Sequence, residues 1–165
     1  LRGSKGLMYE GGIRTPMIVR WPGRIPANSS SDHVWYFPDV MPTLAEIAGV
    51  TRQVPADIDG IPVLPALIGA QAAGRKQATH EYLYWELRGR TRMTQAVRMG
   101  DWKAVRPSQS RPLELYHLAN DVREANDLAA QRPEIMKRIR SILATCRTEP
   151  RPQVEPGSGN NWRFR

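Results

Sequence analysis

A short segment near the start of the chain places one lysine among four glycines. Residues 3–12 read Gly-Ser-Lys-Gly-Leu-Met-Tyr-Glu-Gly-Gly, and Lys5 is the single basic residue in them. Glycine lets a backbone approach a ligand closely and present its N–H groups. A lysine adds a compact positive charge with three donors. The combination is typical of a site for an oxyanion such as phosphate, sulfate or carboxylate.

The spacing in this segment differs from two common phosphate-binding motifs. A P-loop requires Gly-x-x-x-x-Gly-Lys-Ser/Thr. Here Ser4 precedes Lys5 and Leu7 follows Gly6, and no Rossmann fingerprint is present. From the residue chemistry alone, a tight loop with an exposed lysine is as good an interpretation as an anion site.

Several further motifs follow the glycine loop along the chain. After the segment Lys5–Pro16, which reads Lys-Gly-x-x-Tyr-Glu-Gly-Gly-x-Arg-x-Pro, they are Trp21–Gly23, Asp39–Leu44, Asp59–Gly60, Tyr84–Glu86, Ala96–Lys103, Glu114–Tyr116 and Asn120–Ala129. In this order they resemble the C-terminal part of the type I sulfatases, arylsulfatase-like enzymes of the alkaline-phosphatase-like superfamily. The resemblance covers residue 1 to about residue 146.

The resemblance implies a catalytic role for Lys5 as a contact to the sulfate group. It also implies a parent enzyme that hydrolyses a sulfate ester to an alcohol and sulfate. Its substrate would be a small sulfate ester or a sulfated glycan. A phosphoesterase of the same superfamily is the alternative enzyme. Beyond Lys5, the sequence assigns no substrate-binding residue and no metal ligand.

Sulfatases of this family use a formylglycine nucleophile, made from the cysteine or serine of Cys/Ser-x-Pro-x-Arg, and calcium held by acidic pairs. Neither group is expected from this chain. Cys146 is followed by Arg-Thr-Glu, and no acidic pair precedes Lys5. The chain begins with Leu1 rather than Met, inside this loop. We therefore expect a C-terminal portion of a sulfatase that is inactive alone.

The fold class predicted from the sequence is α/β, and three parts are expected. Residues 1–70 would be the end of the large α/β sulfatase domain, and residues 71–147 a C-terminal subdomain of antiparallel strands plus a helix. Residues 148–165, rich in proline, glycine and arginine, would be a flexible tail.

In the first part, the apolar run 13–21 predicts a buried strand. A helix is predicted to follow Asp39 as its N-cap and to end at Gly49. Its apolar stripe would be Val40, Leu44, Ile47 and Ala48. A second, short apolar helix is predicted within residues 57–69.

In the second part, alternation over residues 80–87 predicts a strand. Gly100-Asp101, between apolar runs, predicts a hairpin, and residues 113–118 predict another strand. Three or four antiparallel strands are expected. Pro133 is predicted to begin a helix whose apolar stripe needs a sheet face to pack on, with Ile135, Ile139, Ile142, Leu143 and Cys146 as its members.

The chain is basic, with a formal net charge of +8. Much of the excess lies in a basic stretch whose members are Arg88, Arg90, Arg92, Arg98, Lys103, Arg106 and Arg111. We interpret it as a solvated arginine-rich surface. The alternative is a noncatalytic basic module that binds anionic polymers. We expect no nucleic-acid partner.

Composition limits the remaining function classes. A single cysteine excludes a disulfide framework within the chain and a cysteine-based zinc site. No run approaches the ~20 apolar residues of a membrane helix, so no membrane partner is expected. One thiol does not indicate the compartment, so the localisation is left unknown, with a periplasmic or secreted parent as one expectation. The sequence indicates no oligomeric state.

Some polar and aromatic residues leave two interpretations open. Glu10 and Arg14 are expected to pair with each other rather than touch substrate. His33 is expected at the surface, although Asp32 beside it would suit a pocket lining. His80 and His117 are expected at isolated strand positions. A last group would either pack in the core or approach the leaving group of the substrate, and it comprises Tyr84, Trp85 and Arg88.

Overall fold

The computed structural model describes residues 1–88 and 93–147. Its central feature is one four-stranded antiparallel sheet in which each strand pairs with the next along the chain. This confirms the strands predicted for the second part and the α/β class. The strands are β1 (Leu83–Arg88), β2 (Met93–Met99), β3 (Trp102–Arg106) and β4 (Glu114–His117).

The sheet has two different faces because side chains alternate along each strand. Ala96 lies opposite Val105 in the register of β2 and β3, and both point toward the same face. Val97 and Ala104 are the neighbouring pair and point the other way. Each face contributes to its own cluster of buried residues. Both faces must therefore be covered by other segments.

The helix α4 (Pro133–Thr145) covers the second face. Met136 and Ile139 pack there against Val97, Ala104 and Leu115. Ile139 is fully buried. The predicted helix, its start at Pro133 and its need for a sheet face are confirmed.

The glycine loop covers the first face. Met8 and Tyr9 form one buried cluster with Ala96, Val105 and Tyr116. Residues near the start of the chain thus pack on strands that lie about a hundred positions later. The Lys5 segment rests on a sheet rather than projecting freely.

The helices of the first part are short. They are α1 (Glu10–Ile13), α2 (Val40–Ile47) and α3 (Leu64–Ile68), with a 3-10 turn at Phe37–Asp39 directly before α2. Gly49 adopts a φ of +72° just beyond α2, as expected of a glycine that ends a helix. The predicted helices are confirmed, and the proposed domain boundaries stay predictions.

Two predictions for the first part are wrong. Residues 14–20 form no strand, and Ile18 is 94% exposed. Leu44, in the predicted stripe of α2, is 58% exposed, whereas Pro42 and Thr43 are the buried residues of α2. A strand needs a hydrogen-bonded neighbour, and within residues 1–88 and 93–147 the sheet consists of β1–β4 only.

Some predictions fall on residues outside the described ranges. The proposed tail, residues 148–165, lies there, as do Arg90 and Arg92 of the basic stretch. Among the residues that the structure does describe, no helix is long and apolar enough to cross a membrane.

Replacing Ile139 by alanine tests the packing of α4 on the sheet. The change removes a fully buried side chain and leaves a cavity. The free energy of unfolding should fall by ~2–5 kcal/mol. Denaturant titration followed by circular dichroism measures it.

Lys137→Ala is the control for this measurement, because Lys137 is exposed on the same helix. It should change stability by no more than ~0.5 kcal/mol. Equal losses in the two variants would contradict the assigned packing of α4.

Candidate functional site

The Lys5 side chain is exposed at the tip of a tight turn. The Leu7 amide donates to the Ser4 carbonyl at 3.0 Å, which closes the turn around Lys5 and Gly6. Gly6 has a φ of +87°, a backbone conformation that favours glycine. Met8, three residues after Lys5, is already buried. The turn therefore presents Lys5 to solvent while the following residues pack on the sheet.

The glycine pair allows the loop to fold back on itself. The Gly11 amide donates to the Arg2 carbonyl at 2.7 Å. A Cβ added to Gly11 would lie 2.5 Å from the Arg2 and Gly3 carbonyl oxygens, and one added to Gly12 would overlap the Leu7 carbonyl. Gly11 and Gly12 are therefore needed because the backbone of the loop packs closely against itself at these positions, which leaves no room for a side chain.

Aromatic and charged side chains attach the start of the loop to the sheet. The Arg2 guanidinium donates to Tyr116 Oη at 2.7 Å and lies 4.0 Å above the centre of the Tyr9 ring. Both phenols donate to one oxygen of Glu114, Tyr9 at 2.6 Å and Tyr116 at 2.7 Å. Burial, followed by the contact with Glu114, raises the pKa of both tyrosines. These phenols stay protonated and keep donating.

A buried ion triad attaches the end of the loop to the sheet. The Lys103 ammonium lies 2.8 Å from Glu10 Oε1 and 2.8 Å from Glu124 Oε1. Glu124 Oε2 accepts a hydrogen bond of 2.6 Å from the Glu10 amide. The Lys103 and Glu124 side chains have no exposed surface, and that of Glu10 is 5% exposed. We refer to Glu10, Lys103 and Glu124 as the buried triad.

The sequence interpretation missed most of this triad. It counted Lys103 in a solvated surface, which is wrong, because the residue is fully buried. It paired Glu10 with Arg14, and this contact exists at 3.8 Å beside the shorter one to Lys103. The alternation of side chains along β3 could have indicated the burial of Lys103, because Lys103 lies on the same sheet face as Val105.

A second polar cluster is centred on Asp39 and corrects two predictions. The Asp39 carboxylate does not cap α2. It accepts hydrogen bonds from the Ile61 amide at 2.8 Å and the Tyr36 amide at 3.0 Å, and it lies 2.8 Å from His80 Nε2. Pro42, the third residue of α2, has no N–H to offer a cap. His80 is therefore paired with a carboxylate and precedes β1.

The other two histidines are both half-buried. His33, expected at the surface, is half-buried, and burial lowers its pKa. His117 lies in β4, as predicted, with its ring edge-on to Trp102 at 4.6 Å.

A cleft of about 440 Å³ lies between the Lys5 loop and β1. Gly6 and Leu7 line one side, directly after Lys5 in the chain. Four of the other lining residues are aromatic, and they are Tyr36, Phe37, Tyr84 and Trp85. The structure thus brings two of the sequence-predicted aromatic residues close to the segment that carries Lys5.

Tyr84 and Trp85 combine packing with exposure to this cleft. Trp85 packs against the buried cluster of the first sheet face, and Tyr84 against that of the second. The Tyr84 phenol donates to Glu86 Oε2 at 2.6 Å and accepts from Gln95 at 2.8 Å. Arg88 is exposed, with its Nε 4.0 Å from Glu86 Oε1.

Comparison with known proteins identifies the family of this chain. Residues 4–149 match the family model described as N-sulphoglucosamine sulphohydrolase, C-terminal. The chain belongs to this sulfatase family. It is 28% identical over 158 residues to arylsulfatase G of Canis lupus familiaris, covering 86% of this chain and 29% of that protein. The chain thus spans less than a third of that curated relative.

Two solved structures share the fold. BT4656 in complex with its substrate D-glucosamine-2-N,6-O-disulfate has a TM-score of 0.68 at 27% identity, covering 84% of this chain and 29% of that one. Ps i-CgsB in complex with k-i-k-neocarrahexaose has a TM-score of 0.72 at 27% identity, and the match covers 87% of this chain and 31% of that one. The chain is therefore similar to the C-terminal portion of sulfatases.

The described residues do not form a site for the metal and nucleophile that the sulfatase family implies. No group of three or more metal-ligating side chains occurs in ranges 1–88 and 93–147. Cys146 directly follows α4, half-buried, and burial raises its pKa. Its surroundings suit a structural thiol.

Alkaline titration tests the environment of Tyr84. Burial, followed by the contact with Glu86, raises the pKa of Tyr84 to about 12, above the ordinary value of 10.0. The raised pKa means that the folded state favours the neutral phenol. This stabilisation is complete below pH 10 and is lost as the pH rises through about 12. Phenolate absorbance and denaturant titrations across this window measure it.

Tyr84→Phe provides the comparison for this titration. The variant should lose stability less steeply between pH 10 and 12 than the wild type. Some slope should remain, because burial also raises the pKa of Tyr36 to about 12. Identical slopes in wild type and variant would show that Tyr84 titrates normally.

Proposed function

We propose that this chain acts as part of a sulfatase that hydrolyses sulfate esters to an alcohol and sulfate, and that Lys5 contacts the sulfate group. One observation carries the proposal. Lys5 is exposed in a loop whose two flanks, Arg2 and Glu10, are fixed to a buried sheet. The backbone that carries Lys5 is thereby held in place before any ligand arrives.

The chemistry of sulfate-ester cleavage suits a fixed ammonium. The non-bridging oxygens carry negative charge, and charge builds on the bridging oxygen as the S–O bond breaks. A positive group already aimed at these oxygens stabilises the transition state without reorganising during the reaction. The attachment of the loop to the sheet supports this role for Lys5.

The nucleophile and the calcium ligands would belong to polypeptide outside this chain, as part of the same proposal. Exposed apolar side chains in the first part support this, since large patches of this kind mark interaction surfaces. Apart from Phe37, which lines the cleft, the most exposed are Ile18, Leu1, Leu44 and Met17. Covering them by the remainder of a sulfatase would also give residues 14–20 neighbours to pair with.

The proposed substrate is a sulfate ester on a sugar or another ring. The aromatic side of the cleft, beside the Lys5 loop, supports this because rings pack well on aromatic faces. The sulfated glucosamine bound by BT4656 and the neocarrahexaose bound by Ps i-CgsB are consistent with a glycan.

Lys5→Ala in the sulfatase that contains this chain tests the proposed contact. Loss of one preorganised charge contact should lower kcat by ~10²-fold. Steady-state hydrolysis of an aryl sulfate measures it. Lys137→Ala, at an exposed position on α4, should leave kcat unchanged. Wild-type turnover in Lys5→Ala would exclude the proposed role.

The 165-residue chain alone should not hydrolyse sulfate esters. Its described residues lack a metal-ligand cluster, and Cys146 is not in a formylglycine motif. An aryl sulfate assay with added calcium measures release of the alcohol. Turnover well above the buffer rate, retained after repurification, would show that the chain has a complete active site.

A further inference from the structure

The buried triad connects the Lys5 loop to a part of the chain that is remote in sequence. We propose that Lys103 and Glu124 are positioning residues for Lys5, acting through Glu10 and Arg2. The kinetic part of this inference rests on the proposed function of Lys5. Its structural part, that these residues hold the loop still, does not.

Glu124 contacts both flanks of the loop. Its backbone carbonyl accepts a hydrogen bond from Arg2 at 2.8 Å, three residues before Lys5. Its carboxylate accepts one from the Glu10 amide at 2.6 Å, five residues after Lys5. One residue therefore fixes the separation between the two ends of the loop.

Glu124 is itself held in an uncommon conformation. Its φ is +54°, in the left-handed region that a side chain rarely adopts. Its amide donates to the Asp121 carbonyl at 3.1 Å, and the Asp121 carboxylate accepts from the next two amides, of Ala125 and Asn126. This turn aims both the carbonyl and the carboxylate of Glu124 at the loop.

Lys103 completes the attachment by joining the two carboxylates. Two buried carboxylates facing each other would repel, and one ammonium 2.8 Å from each offsets this. A buried ion network of this kind is a weak source of stability compared with apolar packing of equal volume. The hydrogen bond from Lys103 to Glu10 Oε1 at 2.8 Å instead specifies one geometry, the position of Glu10 relative to β3, while the contact to Glu124 Oε1 is an ion pair.

Amide hydrogen exchange on the 165-residue chain tests the structural part. Lys103→Met leaves the two carboxylates without their cation, and Glu124→Gln keeps the side-chain size while turning one oxygen into a donor. Either variant should speed exchange of the Leu7, Gly11 and Gly12 amides at least ~10-fold relative to amides of β2. The second variant keeps the test available if the first does not fold.

Two control variants accompany the exchange experiment. Lys103→Arg keeps the cation and should restore most of the loop protection. Val97→Ala truncates a buried side chain on the α4 face of the same sheet, so it lowers stability without touching the loop. Uniform loss of protection in Lys103→Met, as in Val97→Ala, would overturn the proposal.

A double-mutant cycle in the sulfatase that contains this chain tests the kinetic part. Lys103→Met should lower kcat by up to ~10²-fold, the cost of misplacing a catalytic group by about 1 Å. In the Lys5→Ala background the same change should leave kcat within about twofold, because residues that act as a unit are not additive. Additive losses would show that Lys103 acts on the enzyme generally.

The outcomes separate failure of this inference from failure of the proposed function. If Lys5→Ala retains wild-type kcat, the proposed role of Lys5 fails, and the exchange experiment alone decides whether the triad holds the loop. If Lys5→Ala lowers kcat while both Lys103→Met and Glu124→Gln leave kcat and loop exchange unchanged, the inference fails and the proposed function stands.

Discussion

The architecture depends on a sheet with two faces that both require cover. An antiparallel sheet of four strands buries apolar side chains on each side, and here the two covers come from opposite ends of the described chain. The helix α4 supplies an apolar stripe for one face. The loop that carries Lys5 covers the other, with Tyr9 in contact with the apolar strands and Glu10 paired with Lys103. The contacts that form the core on this face therefore also position the candidate site.

Much of the second part of the fold could be predicted from the sequence because its signals are local. Gly100, with a φ of +58°, ends β2 and begins a tight turn, and Pro133 begins α4 at a position where its missing N–H costs little. The motifs also identified the family. The partners of Lys103 and His80 could not be predicted, because no local rule links a strand lysine to Glu10 or a histidine to Asp39.

The two wrong predictions about apolar segments share one physical cause. Apolar runs indicate that a segment needs burial, but they do not say which segment will bury it. Ile18 and Leu44 belong to such apolar segments and stay exposed, because the described residues provide no partner for them. The Asp39 prediction failed for a different reason, because the Asp39 carboxylate is already engaged by the Tyr36 and Ile61 amides and by His80.

The contacts that hold the Lys5 loop also determine when it can become ordered. Arg2 and Glu10 both bind Glu124, which lies 122 positions after Arg2 and 114 positions after Glu10. Bringing such distant residues together lowers the entropy of the chain before the contact can stabilise it. During synthesis, which proceeds from the N-terminus, the loop must wait until Glu124 has left the ribosome. A chain interrupted before that turn would carry Lys5 on a segment without its anchor.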